Sequence, residues 1–268
     1  MKAIFLSGVA AIGIAASAYA ADLPMRTAPF APTPAAPSWT DFYLGGNIGY
    51  LVQHDSSSLT NFTDFSVSPP TTNPQSGTAS ATSFTGGIQA GFNWQFASSW
   101  VVGLEGDWNW ADPSDNLCRG TNGGLECSDN GTGFLSMTEK TDWLATARGR
   151  LGFLWNSVLI YGTGGAAWGS VKTTLTANCS ATAFGCGASL VPSVTSSNFT
   201  NTKMGWVAGL GAETMLGPHW STRLEWLHYD LGSVNDAFTS AAAVGPYSVS
   251  WSRTIQYDIV RLGANYQF

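Results

Sequence analysis

The stretch FTGGIQAGFNWQF, residues 84–96, alternates apolar and polar positions along its whole length. Because successive side chains of a strand point to opposite faces, this alternation predicts one long β-strand with an apolar and a polar face. Three small residues, 97–99, follow it, and the alternation resumes over residues 102–110. The two stretches therefore predict a β-hairpin with a tight turn.

Six further stretches alternate in the same way: residues 42–52, 142–154, 158–170, 204–216, 220–231 and 255–268. The pattern is weak in residues 158–170, which are rich in glycine. The connections between the resulting eight strands alternate between short (97–99, 155–157 and 217–219) and long (53–82, 111–138, 171–202 and 232–253). The long connections are polar. All 12 prolines lie outside these strands, as expected because proline cannot donate to a central ladder.

The composition indicates what surrounds these strands. Charged residues make up 10% of the chain and aromatic residues 13%, and no later run is long and apolar enough for a transmembrane helix. In hydrocarbon every backbone polar group needs a partner within the protein, which a closed barrel supplies. We therefore predict an all-β fold, an eight-stranded antiparallel up-and-down transmembrane β-barrel with short periplasmic turns and four long extracellular loops. Its predicted location is the outer membrane of a Gram-negative cell.

Aromatic residues fall near both ends of the predicted strands, where the interfacial girdles of such barrels lie. Those near the short turns are Trp94, Phe96, Trp100, Trp155, Tyr161, Trp220 and Tyr266, and those nearer the long loops are Tyr50, Trp108 and Trp110. A soluble core built from the same residues would need a second sheet to cover it, and the chain has no such excess of covering residues.

The first residues predict export. Lys2 precedes an apolar stretch that ends in the small-x-small motif Ala18-Tyr19-Ala20, a pattern typical of a cleaved signal peptide over residues 1–20. A transmembrane anchor is the alternative, but the stretch is short for a membrane span. Residues 21–38 contain five prolines and predict an extended periplasmic lead. The barrel is then expected over residues 39–268.

Charged residues are assigned to the inner face of the barrel by the parity of their positions. The acids and arginines nearly balance; they are Glu105, Asp107, Asp142, Glu213, Glu225, Arg148, Arg150, Arg223 and Arg261. One interpretation is a structural network of ion pairs that fills the lumen, and the other is a charged constriction that selects ions. Because the side chains of an eight-stranded barrel can fill its interior, the structural network is favoured.

The four cysteines lie in two of the long loops. Cys118 and Cys127 share one loop, Cys179 and Cys186 share another, and neither pair has the spacing of a zinc site. In an exported protein we expect two local disulfides, each closing one loop, although pairing between the loops is also compatible with the sequence.

Four stretches of the sequence together resemble the small alphaproteobacterial outer-membrane barrels: residues 39–50, 143–152, 161–169 and 260–268. These are the porin-family or outer-membrane immunogenic proteins, related in fold to the barrel of outer-membrane protein A. The resemblance covers nearly all of the predicted mature chain and departs at Asp41, where glycine is usual. It implies eight strands, surface-exposed loops and a C-terminal signal for the barrel-assembly machinery, carried here by Tyr266 and Phe268.

These observations favour a structural and surface-interaction role, in which the barrel presents disulfide-stiffened loops to the exterior. The expected partners are outer-membrane lipid and lipopolysaccharide, the barrel-assembly machinery, and host or cell-surface ligands that bind the loops. The alternative function is a narrow porin-like channel for ions or small solutes. A net charge of −6 argues against a nucleic-acid partner.

An enzyme is not expected. The only local arrangement of the His–Ser type is His219-Trp220-Ser221, which lies at a short turn, and neither His54 nor His228 has a nucleophile beside it. The sequence shows no cluster of metal ligands, and its glycine-rich runs follow strand spacing, so no cofactor or metal is predicted.

Overall fold

The computed structural model describes residues 38–54, 58–64, 71–77, 80–120, 134–179, 193–239 and 247–268. Within these ranges the chain forms eleven strands: β1 (Asp41–Gln53), β2 (Ser58–Asp64), β3 (Thr71–Gly77), β4 (Thr82–Phe96), β5 (Trp100–Ala111), β6 (Ser114–Gly120), β7 (Phe134–Trp155), β8 (Val158–Cys179), β9 (Ser193–Met215), β10 (Trp220–Thr239) and β11 (Tyr247–Gln267). In this described part, no helix is long and apolar enough to cross a membrane.

Eight of the described strands close into a ring in the order β1-β4-β5-β7-β8-β9-β10-β11, and β11 pairs back with β1. All of these pairings are antiparallel; Leu44 of β1, for example, lies opposite Ala90 of β4 and opposite Tyr266 of β11. Residues 97–99 connect β4 to β5, and residues 156–157 connect β7 to β8. The predicted eight-stranded antiparallel barrel is therefore confirmed.

The strands extend into stretches that the sequence analysis assigned to loops. β2 and β3 lie within residues 53–82 and continue the sheet from β11, while β6 lies within residues 111–138 and pairs with β7. Beyond the lipid neither face of a strand has to be apolar, so the alternation that marks the other strands is absent there. Pro74 lies in β3, the last strand of this extension, where a proline is tolerated.

The outer face of the ring is apolar. Leu104 of β5 and Ile48 of β1, for example, are 72% and 70% exposed, and they belong to a large set of exposed apolar side chains of an extent that is rare on soluble monomers. Aromatic side chains lie at both ends of this face, including Trp94 and Trp220 towards the short turns and Trp110 towards the long loops. An exposed apolar band between aromatic borders is what a lipid bilayer requires of a barrel.

The predicted signal peptide, residues 1–20, lies outside the described residues, as does the Pro-rich lead apart from Ser38. Both remain predictions. The first described tryptophan, Trp39, is buried, and its backbone N–H donates a hydrogen bond of 3.1 Å to Oε1 of Gln95. The chain therefore enters the barrel at the end where the short turns lie.

Candidate functional site

A cluster of charged side chains fills the middle of the barrel interior. β5, β7, β9, β10 and β11 contribute to it, so it connects strands from different sides of the ring. Arg148 of β7 and Glu225 of β10 make one contact across the lumen, with Nη1 and Oε1 3.1 Å apart. All members are buried: Glu105, Asp107, Arg148, Arg150, Glu213, Arg223, Glu225 and Arg261.

Glu105 lies at the centre of this charged cluster. Its carboxylate accepts hydrogen bonds from Arg148 and Arg223, and Oε1 lies 3.0 Å from Nη2 of Arg223. Arg150 and Arg261 are also near, with guanidinium nitrogens 3.8 Å and 3.6 Å from its carboxylate oxygens. One acid therefore contacts or approaches every arginine of the cluster.

The remaining acids each accept a hydrogen bond from an arginine. The donor–acceptor distances are 2.8 Å from Arg148 to Asp107, 2.7 Å from Arg150 to Glu213, and 2.7 Å from Arg261 to Glu225. Burying a charge is costly unless it is paired and hydrogen-bonded. Because the cluster contains four acids and four arginines, its formal charges cancel.

Asp142 does not join the charged cluster, although parity assigned it to the inner face. The register of β7 against β8 shifts between Thr141 and Trp143, so Asp142 is the extra residue of a β-bulge. Its Oδ2 lies 2.5 Å from Nζ of Lys172, and both side chains are partly exposed. The inward residues of β7 have even numbers from Leu144 onward and odd numbers up to Thr141. Asp142 lies at the change between the two and does not point into the lumen.

Tyr161 also differs from its prediction. It was assigned to the girdle at the short turns, but its side chain lies inside the barrel, where the hydroxyl donates to Oε1 of Glu225 at 3.1 Å. The guanidinium carbon of Arg150 lies 4.0 Å from the centre of its ring. Gly211 lies opposite it on β9, and a Cβ at that position would overlap the ring. The weak alternation of the glycine-rich strand concealed its inward direction.

An apolar layer covers the charged cluster on the side of the long loops. It consists of inward-facing side chains that are almost fully buried, among them Leu51, Leu144, Leu227, Ile255 and Ile259. The inward charges predict a polar inner face, but they occupy only the middle of the barrel, and the inward positions nearer the loops are apolar. This apolar layer is therefore a feature that only the structure reveals.

A second group of apolar side chains lies on the other side of the charged cluster. Trp39, Val101, Leu159 and Tyr161 pack together towards the short turns, with Leu154 partly buried against them. The charged cluster thus lies between two apolar groups, and its ion pairs are kept from water.

Further polar contacts lie within the apolar layer and beyond it, towards the long loops. Nη1 of Arg253 lies 3.4 Å from Oε2 of Glu139, and both side chains are buried. The hydroxyls of Thr141 and Tyr257 lie 2.7 Å apart. Glu139 and Arg253 were missed because both fall at the margins of predicted loops and outside any recognised alternation.

The cysteines are only partly covered by the described residues. The backbone of Cys118 belongs to β6 and that of Cys179 ends β8, while Cys127 and Cys186 lie outside the described residues. The two local disulfides therefore remain predictions.

His219 and Ser221 have separate partners. Oγ of Ser221 donates to Oε1 of Glu213 at 2.6 Å inside the barrel. Nδ1 of His219 lies 3.1 Å from the carbonyl oxygen of Gln267, and its ring stacks on Tyr266. The serine and the histidine therefore do not form a nucleophile–base pair with each other.

The comparison with known families agrees with this architecture. The family model described as "Outer membrane protein beta-barrel domain" matches residues 8–268. The chain belongs to this outer-membrane β-barrel family. Membership confirms the predicted resemblance and the predicted location in the outer membrane. It also explains why the apolar side chains of this outer-membrane barrel point outward, since they face lipid.

Relatives of this outer-membrane barrel are found in other bacteria. The 31 kDa outer-membrane immunogenic protein of Brucella melitensis is 34% identical over 276 residues, which cover 100% of both chains. The 22 kDa outer membrane protein of Rhizobium leguminosarum is 28% identical over 238 residues, or 89% of this chain and 82% of that protein. Among solved structures, the outer membrane protein OprG of Pseudomonas aeruginosa is 14% identical, with a TM-score of 0.44, covering 85% of this chain and 98% of that one.

Proposed function

We propose that this outer-membrane barrel has a non-catalytic, structural and surface-interaction role. In this proposal the barrel is a sealed anchor, and its long loops, stiffened by disulfides, form the functional surface outside the cell. The observation that carries the proposal is the filled lumen, in which a neutral charged cluster lies between two groups of buried apolar side chains.

The packing of the lumen supports a sealed barrel. An ion that entered from the side of the long loops would have to pass Leu144, Leu227 and Ile259, all of which are at most 1% exposed. Moving an ion out of water into such an apolar environment is very unfavourable, and apolar constrictions also exclude water. Beyond the apolar layer, the arginines of the charged cluster already have carboxylate partners, so they are not free to attract a passing anion.

The purified, folded protein should therefore show no steady conductance in a planar bilayer. Heat-modifiable migration on a gel would first establish that the barrel is folded. Arg148→Ala should be silent as well, because it removes one side chain of the charged cluster and leaves the apolar layer intact.

Steady conductance of the wild-type barrel would instead favour the alternative function, a narrow porin-like channel. If Arg148→Ala then changed the ion selectivity, the charged cluster would line the passage. Either observation would remove the sealed anchor from consideration.

The proposed stiffening of the loops depends on the cysteines. Peptide mapping of protein taken from cells without reduction should recover Cys118 linked to Cys127 and Cys179 linked to Cys186. Closing a loop with a disulfide restricts its unfolded conformations, which suits a segment exposed to proteases. Reduced cysteines at these positions, or links between the two loops, would contradict two separately stiffened loops.

Binding partners at the surface are part of the same proposal. The Brucella relative is named an immunogenic protein, which supports exposure of the corresponding loops on cells. We propose host or cell-surface ligands for these loops, and lipid and lipopolysaccharide around the barrel. A tag inserted within residues 180–192 should react with antibody on intact cells; a tag that reacts only after the cells are broken would place these residues inside.

We also propose that the barrel-assembly machinery recognises the C-terminal residues. Phe268 is 67% exposed and Tyr266 is 36% exposed, so both rings are accessible on the outer face. The two rings also pack edge-on, with their centroids 5.4 Å apart. Deleting Phe268 tests this proposal. If Phe268 is recognised during assembly, the deletion should lower the amount of folded barrel in cells and leave refolding from urea into detergent unchanged.

A further inference from the structure

Three side chains that are far apart in the sequence converge on the outer face of the barrel. They are His54, which directly follows β1, His228 of β10 and Asp258 of β11, and their potential ligand atoms all lie within 4.8 Å of one another. Oδ2 of Asp258 contacts Nε2 of His54, and Oδ1 lies 2.8 Å from Nδ1 of His228. We propose that this His–Asp–His site binds one divalent transition-metal ion of the zinc type.

The backbone of the sheet holds these ligands in place. β11 lies between β1 and β10, and Asp258 is directly opposite His228 in one ladder and opposite Val52 in the other. The backbone N–H of His54 donates a hydrogen bond of 3.1 Å to the carbonyl oxygen of Gln256, which extends the ladder to the histidine. Side chains on one face of neighbouring strands are close enough to interact, so pairing of the strands assembles the site.

The donor set determines the class of ion. Two imidazole nitrogens and one carboxylate are typical ligands of Zn²⁺ and similar transition metals, whereas Ca²⁺ and Mg²⁺ prefer oxygen ligands alone. The side chains of His54, His228 and Asp258 are 48%, 25% and 24% exposed. Because the site is open on one side, a water molecule can complete a four-coordinate shell.

The surroundings place the site at the border of the apolar outer face. The ring centres of Trp206 and Trp226 lie 5.4 Å and 6.4 Å from that of His228, which limits the freedom of the imidazole. On the side of the long loops the next outward residues are polar, with Nε2 of Gln256 donating to Oδ2 of Asp230 at 3.0 Å. An ion can therefore reach the site from water without crossing lipid.

No metal site is predicted from the sequence because the three residues are far apart along the chain: His54 follows β1, His228 lies in β10 and Asp258 lies in β11. Without a metal, the same geometry would be two imidazole N–H groups donating to one carboxylate. The two interpretations differ in what they predict for added metal, since hydrogen bonds alone create no saturable binding.

The test uses the full barrel refolded in detergent, treated with a chelator and with any free cysteine thiols blocked. Titration with Zn²⁺ by calorimetry and with Co²⁺ by visible absorption should show one equivalent bound. His228→Ala and Asp258→Asn should each weaken binding by more than about 10-fold, since altering even the supporting shell of a metal ligand costs that much. Zn²⁺ should also raise the temperature of the heat-modifiable transition in the wild type and not in these variants.

His219→Ala is the matched control, because His219 is the remaining one of the chain's three histidines and lies at a short turn, away from the site. It should bind Zn²⁺ like the wild type. The proposal would be overturned if the wild type showed no saturable binding of Zn²⁺, or if His228→Ala and Asp258→Asn bound Zn²⁺ as tightly as the wild type. If either variant failed to fold, His54→Gln would replace it, because His54 follows the end of β1 and adds no residue to a strand.

Discussion

Glu105→Gln should lower the free energy of unfolding of the barrel by about 3–5 kcal/mol, because breaking a buried ion pair leaves an uncompensated charge. The substitution preserves the shape of the side chain and removes its charge. Arg148 and Arg223 would then face a neutral amide, while Arg150 and Arg261 would lose a nearby negative charge. The measurement is reversible unfolding by urea in lipid vesicles, followed by tryptophan fluorescence.

Asp142→Asn is the matched control for this experiment. It makes the same acid-to-amide change in β7, but Asp142 pairs with Lys172 at the barrel surface, where an ion pair contributes at most about 1 kcal/mol. Combining Glu105→Gln with Arg148→Met restores charge balance, so the double variant should be more stable than the sum of the two single effects predicts. A loss below about 1 kcal/mol for Glu105→Gln would mean that water reaches the cluster and compensates the arginines.

Leu104→Arg should destabilise the barrel in a lipid bilayer by about 2–4 kcal/mol, the cost of a cationic side chain at the middle of a lipid-facing strand. Leu104 is near the centre of β5, is 72% exposed, and lies opposite Phe92 on one side and Gly149 on the other. Neither neighbour offers a polar group from its side chain. Unfolding by guanidinium in vesicles would measure the difference from the wild type.

Leu216→Arg makes the same change at an equally exposed leucine. Leu216 is 70% exposed but lies between β9 and β10, at a turn, where an arginine near the interface costs only about 0–1 kcal/mol. A larger loss for Leu216→Arg than for Leu104→Arg would contradict the assignment of the bilayer to the middle of the strands. Equal and small effects would mean that water, and not lipid, surrounds the outer face.

Much of the fold could be predicted because the information is local. A strand between lipid and a filled lumen must alternate along its own length, so residues 84–96 alone indicate a strand and its two faces. The tight turn at residues 97–99 and the inward direction of Glu105 and Asp107 follow from the same rule. The structure places these residues accordingly.

The rule failed where the local pattern was interrupted. A β-bulge at Asp142 shifts parity by one residue, and a bulge is a property of two paired strands that neither strand shows alone. Tyr161 lies in a strand so rich in glycine that its faces cannot be distinguished by composition. β2, β3 and β6 lie beyond the apolar band, where alternation is no longer required.

The sequence by itself determined the number of strands in the ring, their membrane-facing side and the residue types available to the lumen. The reason is that each strand shows its own alternation of apolar and polar residues. Only the tertiary structure decided which charges meet at Glu105, that an apolar layer covers them, and that His54, His228 and Asp258 converge. These contacts join residues from strands that are distant in the sequence. They depend on the register between paired strands in the closed ring, and the sequence of one strand does not specify which residues of another strand lie opposite it.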